Sequence, residues 1–356
     1  MKKFLALVLI LCLCGMTAAC SEAPDGPDPS GGEDYIELLT DKNFARGFNL
    51  FGPDSRFHAT DYWEQLFFES TADPFWKLAT WGCFNNYFLD RDLTVTEEGK
   101  TYTYPKNPLN TVKEGDWYTI SNPSVTVKAN PTQGSLVLSL DSSQEYGKTP
   151  AYTDAPRLSS PRKSGEAWPH LLIEQNIVSS LTLDQVEEAV FSLDFNVSKV
   201  ERLMSDEEFD SSLHTAQITW FVSIACINPM SQFYNQYIWF GVPIYDYRFP
   251  SMSESFHIDG GKEDATGMLI YGSPTEDYLP DGVEVGKRIS FQHDFYPNMQ
   301  RAFNVARERG LFADCTLADM RIINTNLGWE LPGTFDATFE LYGMSIQYRQ
   351  KADETI

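Results

Sequence analysis

The chain has 356 residues, of which 42% are hydrophobic and 14% aromatic, and its formal charge is −23. A surface this acidic repels the phosphates of nucleic acids and of anionic lipid headgroups, so both are excluded as principal partners. Neutral sugars remain compatible with this charge, and cationic ligands or metal ions are favoured by it.

The first twenty residues have the pattern of a secretory signal. Two lysines precede an apolar run from Phe4 to Leu13, and small residues follow up to Cys20. This apolar run is too short to span a bilayer, which needs roughly 20 residues as a helix. We therefore predict that residues 1–19 are a signal peptide and that the protein is exported.

The sequence MTAAC, which ends at Cys20, resembles the lipobox of bacterial lipoproteins, with Thr17 where that family usually has leucine. The resemblance implies that Cys20 is lipidated and anchors the protein to a membrane that the chain never crosses. Ser21 at the next position resembles the sorting pattern of outer-membrane lipoproteins. The implied location is a bacterial outer membrane or cell surface, and cleavage by ordinary signal peptidase is the alternative.

The composition then divides the chain. Residues 20–36 are rich in Pro, Gly, Ser and acids, which predicts a flexible tether. Residues 37–350 are enough for a single β-sandwich domain. Within it, residues 37–115 are dense in aromatics, as in DYWEQLFFES, and we predict an aromatic-rich cap there, with a separate cap subdomain as the alternative.

Apolar residues alternate along most of the later chain, and this period of two is typical of strands. Two helices are also predicted, one over 298–310 and a shorter one that begins near Leu183. The predicted strands are 124–128, 135–140, 171–178, 189–197, 216–227, 237–247, 267–271, 288–295, 320–324 and 334–348. The expected fold is mainly β, an antiparallel, jelly-roll-like sandwich with one or two short helices.

The stretch WPHLLIEQN has one apolar face and one functional face when it is read as a strand. Trp168, His170 and Glu174 share the functional face, and apolar residues alternate with them. Asp194, in the strand AVFSLDFNV, is expected to join them. We predict a binding surface here, and an ordinary solvated face is the alternative.

A second candidate surface lies in YIWFGVPIYDYR. With a period of two, Trp239, Tyr245 and Tyr247 form an aromatic row, and Arg248 follows it. Aromatic rings stack on the C–H faces of sugars, so this row predicts glycan binding. The alternative is that both faces of the strand are buried. Pro243 indicates a sheet edge or a bulge.

The segment NTNLGWELPG, residues 324–333, is predicted to be a loop between two late strands. It carries Trp329 beside Glu330, a pair suited to a sugar site, although Trp329 could equally close the end of the core. The late chain is similar to jelly-roll sandwiches of the concanavalin-like and carbohydrate-binding kind. That resemblance implies a role with glycans.

An enzyme is the alternative to a binding protein. Hydrolysis of a glycosidic bond needs two carboxylates, and Glu174 with Asp194, Asp246 or Glu330 could supply them beside His170. Lytic cleavage would use His170, Tyr245, Tyr247 and Arg248, but the acidic surface disfavours a polyanionic substrate. The sequence contains no phosphate-binding glycine loop and no H-E-x-x-H, so we expect no cofactor. A calcium site in DSSQE or DGGKED is an alternative.

Three cysteines, Cys83, Cys226 and Cys315, fall within the predicted domain, and their spacing leaves their pairing open. The sequence as a whole predicts an exported, lipid-anchored protein that binds a glycan. A polysaccharide-cleaving enzyme that uses Glu174 is the first alternative. A structural or adhesion lipoprotein without a small ligand is the second.

Overall fold

A computed structural model describes residues 34–51, 64–83, 93–97, 100–104, 110–148, 158–260 and 266–352. The predicted signal peptide, the lipidation site Cys20 and most of the predicted tether lie outside these residues. Among the described residues, no helix has both the length and the apolar character needed to cross a membrane.

Nineteen strands are described. They are β1 (Tyr35–Glu37), β2 (Phe48–Phe51), β3 (Glu64–Leu66), β4 (Trp76–Ala79), β5 (Leu93–Glu97), β6 (Lys100–Tyr104), β7 (Asn110–Glu114), β8 (Trp117–Ser121), β9 (Val125–Asn130), β10 (Ser135–Asp141), β11 (His170–Asn176), β12 (Val186–Arg202), β13 (Gln217–Cys226), β14 (Tyr237–Asp246), β15 (Ser255–Ile258), β16 (Leu269–Gly272), β17 (Arg288–Asp294), β18 (Met320–Glu330) and β19 (Phe335–Gln350).

Most of these strands belong to two large sheets. The first sheet has eight strands in the order β17-β12-β19-β10-β9-β8-β7, and β1 also pairs with β19. The second sheet has nine strands in the order β15-β16-β14-β13-β18-β11-β4-β2-β3. Pairing is antiparallel except between β14 and β16 and between β2 and β4. Strands β5 and β6 form a separate hairpin.

The two sheets pack face to face over one hydrophobic core. Phe191 of the first sheet meets Trp220 of the second with ring centroids 5.0 Å apart. The indole N–H of Trp329, in the second sheet, donates to the carbonyl of Leu138 in the first. The predicted mainly-β sandwich is therefore confirmed, and each large sheet keeps one face for the core and one outer face.

The aromatic N-terminal region is built into the sandwich. Strands β2, β3 and β4 extend the second sheet beyond β11. Phe44, Phe48 and Trp76 are fully buried in the common core. These described aromatic residues therefore pack this edge of the second sheet onto the core.

One α-helix is present in the described chain, α1 (Tyr296–Glu308), which confirms the helix predicted over 298–310 with a start two residues earlier. The shorter helix predicted near Leu183 is wrong. Leu183–Gln185 makes a single 3-10 turn and the chain then enters β12. Alternating burial from Ala189 onward satisfies a strand, and this tertiary packing outweighs the helical propensity of the glutamates.

Candidate functional site

The outer face of the nine-stranded sheet carries three rows of side chains that lie across neighbouring strands. The strand register defines each row. The first row is Asp246, Gln217, Glu330 and His170; the second is Phe221, Asn326, Glu174 and Lys77; the third is Trp239, Ser223, Asn324 and Asn176. Four strands, β14, β13, β18 and β11, contribute most of these residues.

Glu330 of the first row is contacted by three neighbouring side chains. One of its carboxylate oxygens accepts from the indole N–H of Trp168 at 3.2 Å and from the amide of Gln217 at 3.3 Å. The same oxygen lies 3.6 Å from Nε2 of His170. With a side-chain exposure of only 15%, Glu330 is held in one position by donors from three strands or loops.

His170 lies between two acceptors. Its Nδ1 is 3.3 Å from the carbonyl oxygen of Trp81, and its Nε2 faces the Glu330 carboxylate. The imidazole therefore lies between a backbone oxygen and a carboxylate oxygen. The Trp168 ring also stacks on the imidazole, with centroids 5.6 Å apart.

Trp81 links the first row to the second. Its carbonyl accepts from the backbone N–H of His170, so its backbone is level with the first row. Its indole N–H donates to Glu174 at 2.9 Å, four residues further along β11. The indole therefore connects the level of the first row to the level of the second along β11.

The third row ends in an aromatic cluster. The half-buried ring of Trp239 meets Tyr237 edge-on at 5.0 Å and Phe221 at 5.9 Å. Gly241 leaves room for Phe221, since a Cβ there would lie 2.8 Å from that ring. Burial raises the pKa of Tyr237, so its phenol stays a protonated donor at ordinary pH.

The predicted aromatic row is divided by a bulge in β14. Residues 237–242 pair regularly with β13, but the register shifts where Ile218 and Thr219 oppose Tyr245 and Pro243. After the shift, Tyr245 turns to the core side, edge-on to Trp329 at 6.2 Å. Trp239 and Tyr245 therefore do not share one surface.

Tyr245, Tyr247 and Arg248 border a different feature, a cavity of about 250 Å³ at the end of β14. Arg248 makes a bidentate pair with Asp246, with N–O distances of 2.9 and 2.6 Å. Burial raises the pKa of Tyr245 to about 12, which keeps its hydroxyl protonated. Because Asp246 also accepts from Thr215, its carboxylate is occupied by these partners.

Two sequence-based placements are wrong. Asp194 lies on β12, in the other sheet, where it forms a bidentate pair with Arg288 on the outer face of that sheet. It therefore cannot join Glu174. Trp329 is not in a loop, because β18 continues to Glu330, and its ring is 0% exposed within the core. Glu330 is brought to the outer face by the same strand.

Several residues of this surface were not predicted as site residues. Gln217, Phe221 and the asparagines of β18 lie on it because strand parity puts them on the same face as His170 and Glu174. Trp81 follows β4 and reaches this face through its hydrogen bond to Glu174. The alternation in AQITWFVSI was a usable signal for Gln217 and Phe221. The other predicted residues of this face, Trp168, His170, Glu174, Glu330 and Trp239, are brought together.

The described part of the chain contains no cluster of three or more His, Cys, Asp or Glu arranged to hold a metal ion. In DSSQE, the Asp141 carboxylate accepts from the backbone and hydroxyl of Ser143 and caps a short 3-10 turn. Most of DGGKED lies outside the described residues.

No family model matches this sequence, and no curated protein matches it. Among solved structures, it is similar to an endoglucanase from Rhodothermus marinus, with 9% identity, a TM-score of 0.35, and 73% of this chain and 99% of that chain covered. A family 12 xyloglucanase from Bacillus licheniformis is 9% identical, with a TM-score of 0.35, and 73% of this chain and 99% of that chain are covered. The xyloglucanase domain of a type three effector from Sinorhizobium fredii, in complex with cellobiose, is 8% identical, with a TM-score of 0.34, and 68% of this chain and 96% of that chain are covered. Likeness at these TM-scores carries no inference about what this chain binds or cleaves.

Proposed function

We propose that this chain is an exported, lipid-anchored protein that binds a glycan on the outer face of its nine-stranded sheet. The supporting observation is that the three rows combine half-buried aromatic rings with amide and carboxylate side chains on one continuous surface. Sugars present apolar C–H faces together with hydroxyl edges, so a surface of this composition offers partners to both.

The charges of the face favour a neutral glycan. Glu174 and Glu330 contribute carboxylates, and Asp246 is already paired with Arg248. Lys77 is the cation of the second row, and its ammonium group donates to Asn176 at 3.3 Å. A polyanionic chain would meet these carboxylates with too little positive charge to offset the repulsion.

The amide side chains of this face provide directional hydrogen bonds. Asn324 donates to Asn176 at 3.1 Å across β18 and β11, which leaves further donor and acceptor positions on two amides that point from the same face. Gln217 holds Glu330 in the first row in the same way. Side chains that already hold one another in place lose little rotamer freedom when a ligand binds.

Hydrolysis is the second candidate function, because Glu174 and Glu330 share one face and each accepts an indole N–H. The register opposes it. Glu174 pairs with Asn326 and not with Glu330, so the two backbones are four residues out of step, about 13 Å along the strands. Carboxyl groups in glycosidases lie about 5 to 9.5 Å apart, so a catalytic pair here would need both side chains to extend toward each other along the strands.

Export and anchoring are proposed from the leader sequence and the lipobox-like MTAAC that ends at Cys20. A lipid on Cys20 and a tether up to residue 36 would hold the sandwich away from the membrane surface. Labelling of the full-length chain with a fatty-acid analogue tests this, with Cys20→Ala as the control that should lose the label.

The test of glycan binding is an array of neutral and acidic glycans probed with the mature chain, followed by titration of the best ligand. We expect Trp239→Ala to weaken that binding about tenfold to thirtyfold, because truncation of a central aromatic contact costs roughly 1.4 to 2 kcal/mol. Calorimetry or fluorescence titration measures the dissociation constant.

The matched control is Tyr342→Ala, since Tyr342 is a half-buried aromatic residue on the outer face of the other sheet, against Arg288. Binding by this variant should equal that of the unmodified protein. Equal losses in the two variants would indicate general damage to the fold, and no response to any glycan would favour the structural or adhesion role.

Glu174→Gln separates binding from hydrolysis. The amide keeps the size of the carboxylate and can still accept from Trp81, so we expect affinity to fall by less than about tenfold, the cost of one charge-assisted hydrogen bond. Polysaccharide digestion followed by reducing-end analysis is run on both proteins. Cleavage by the unmodified chain that disappears in Glu174→Gln would replace the binding proposal with the hydrolase.

A further inference from the structure

Two of the three cysteines in the described chain lie side by side at the end of the second sheet. Cys226 is the last residue of β13, and Cys315 lies in the connection from α1 to β18. Their sulfur atoms are 3.4 Å apart and unbonded. Both residues are buried, with exposures of 0% and 1%.

Hydrogen bonds beside the thiols hold these two segments together, and the Ser231 hydroxyl also lies 3.2 Å from the Cys315 sulfur. The backbone N–H of Ile227 donates to the carbonyl of Asp319 at 2.8 Å. The side chain of Asn228 donates to the Asp319 carboxylate at 2.9 Å. Ser231 donates to Asp314 at 2.8 Å, next to Cys315. The close approach of the sulfurs is therefore set by the surrounding structure.

Cys83 has no such neighbour among the described cysteines. It follows β4 beside the first row, where its thiol donates to the carbonyl of His170 at 3.6 Å. Burial raises the pKa of this thiol well above its usual range, which makes it a poor nucleophile. It is therefore suited to remain a buried thiol.

We propose that Cys226 and Cys315 form a disulfide in the exported protein, and that Cys83 stays reduced. A disulfide needs an S–S distance of about 2.05 Å, so the sulfurs must approach by roughly 1.4 Å, a shift within reach of small side-chain rotations. An exported chain meets an oxidising compartment, where such bonds persist. This inference shares the export step with the proposed function but not its glycan site.

The oxidant is a disulfide-bearing exchange partner, either a protein or a small molecule. The thiolate of one cysteine attacks that disulfide to give a mixed disulfide, and the thiolate of the second cysteine displaces the oxidant's remaining sulfur. Two protein thiols and one oxidant disulfide become one protein disulfide and two oxidant thiols, so the oxidant takes up both electrons and both protons.

The thiols are less reactive once the sandwich is complete. Burial raises the pKa of Cys315 to about 12 in the folded protein, with the neighbouring Cys226 adding to the increase, so little thiolate is present there after folding. The bond, once made, links two cysteines that are 89 positions apart in the sequence and so restricts the unfolded chain.

The test is disulfide mapping of the full-length chain produced with its own leader sequence in a bacterial host. Free thiols are alkylated under denaturing conditions, and unreduced peptides are identified by mass spectrometry. We expect a linked peptide pair that contains Cys226 and Cys315, and an alkylated Cys83. A linked Cys83, or alkylation of all three residues, would overturn the proposal.

A second experiment tests the pairing of the two cysteines independently of export. The mature chain from that host is reduced, unfolded and refolded in a buffer of reduced and oxidised glutathione, and mapped again. The same pair is expected. If it forms only in this experiment, the pairing stands and the proposed export is wrong; if it forms in neither, the pairing itself is wrong.

Cysteine variants then test whether the disulfide stabilises the folded protein. Addition of dithiothreitol during a thermal scan should lower the Tm of the unmodified protein by several degrees, and the double variant Cys226→Ala/Cys315→Ala should lose this sensitivity. Cys83→Ala is the matched control and should retain it. Peptide mapping keeps the proposal testable should the double variant fail to fold.

Discussion

Replacement of Trp329 by alanine is expected to lower the free energy of unfolding by about 3 to 5 kcal/mol. The side chain is 0% exposed, packs against Tyr245 and donates to the Leu138 carbonyl on the opposite sheet. Removal of the indole leaves a cavity and also deletes a hydrogen bond between the two sheets. Since domains of this kind are stable by only about 5 to 15 kcal/mol, such a loss is readily measured by denaturant unfolding.

Trp239→Ala is the matched variant, because it removes the same side chain from the outer face of the same sheet. We expect it to change the unfolding free energy by much less than Trp329→Ala, since the ring of Trp239 is only partly buried. Trp329→Ala that unfolds like the unmodified protein yet loses glycan binding would contradict the core position and restore the ligand role predicted from the sequence.

Replacement of Gly328 by alanine is the second change with a large expected effect. Gly328 has φ of +151°, and a Cβ there would lie 2.1 Å from the Leu171 carbonyl oxygen and 3.0 Å from Cα of Leu172. Backbone cannot move away as a flexible side chain does, so β11 and β18 would have to separate. We expect a loss of about 2 to 5 kcal/mol, from backbone strain and overpacking together.

Gly343→Ala is the control for this loss, because a Cβ at Gly343 in β19 would meet no described atom within 4 Å. It should leave the unfolding free energy within about 0.5 kcal/mol of the unmodified value. Thermal and denaturant unfolding of the two alanine variants, side by side, provide the measurement. Similar losses in both would show that the close approach of β11 and β18 is not the cause.

The sequence predicted the strands well, because alternation directly reflects one buried and one exposed face. The assignment of Leu171 and Ile173 to the core, with His170 and Glu174 opposite, is confirmed by their burial. The same alternation gave Trp239 its place on the outer face. The alternation of residues within one strand is sufficient for such predictions, because it determines which side chains share a face.

Sheet membership could not be predicted in this way. Asp194 and Glu174 have similar local patterns, but β12 and β11 belong to different sheets, and only long-range pairing decides that. The bulge in β14 is a second example, because Pro243 indicated an irregularity without showing that Tyr245 would turn toward Trp329. The reach of Trp81 to Glu174 also depends on the pairing of β4 with β11.

The order of the strands has a consequence for how the chain is made. Strand β18 lies between β13 and β11, and β19 lies between β12 and β10, so the last two strands of the described chain occupy interior positions in both sheets. A nascent chain that lacks residues 320–350 therefore cannot complete either sheet on the ribosome. Closure of both sheets must therefore wait until β18 and β19 have been synthesised.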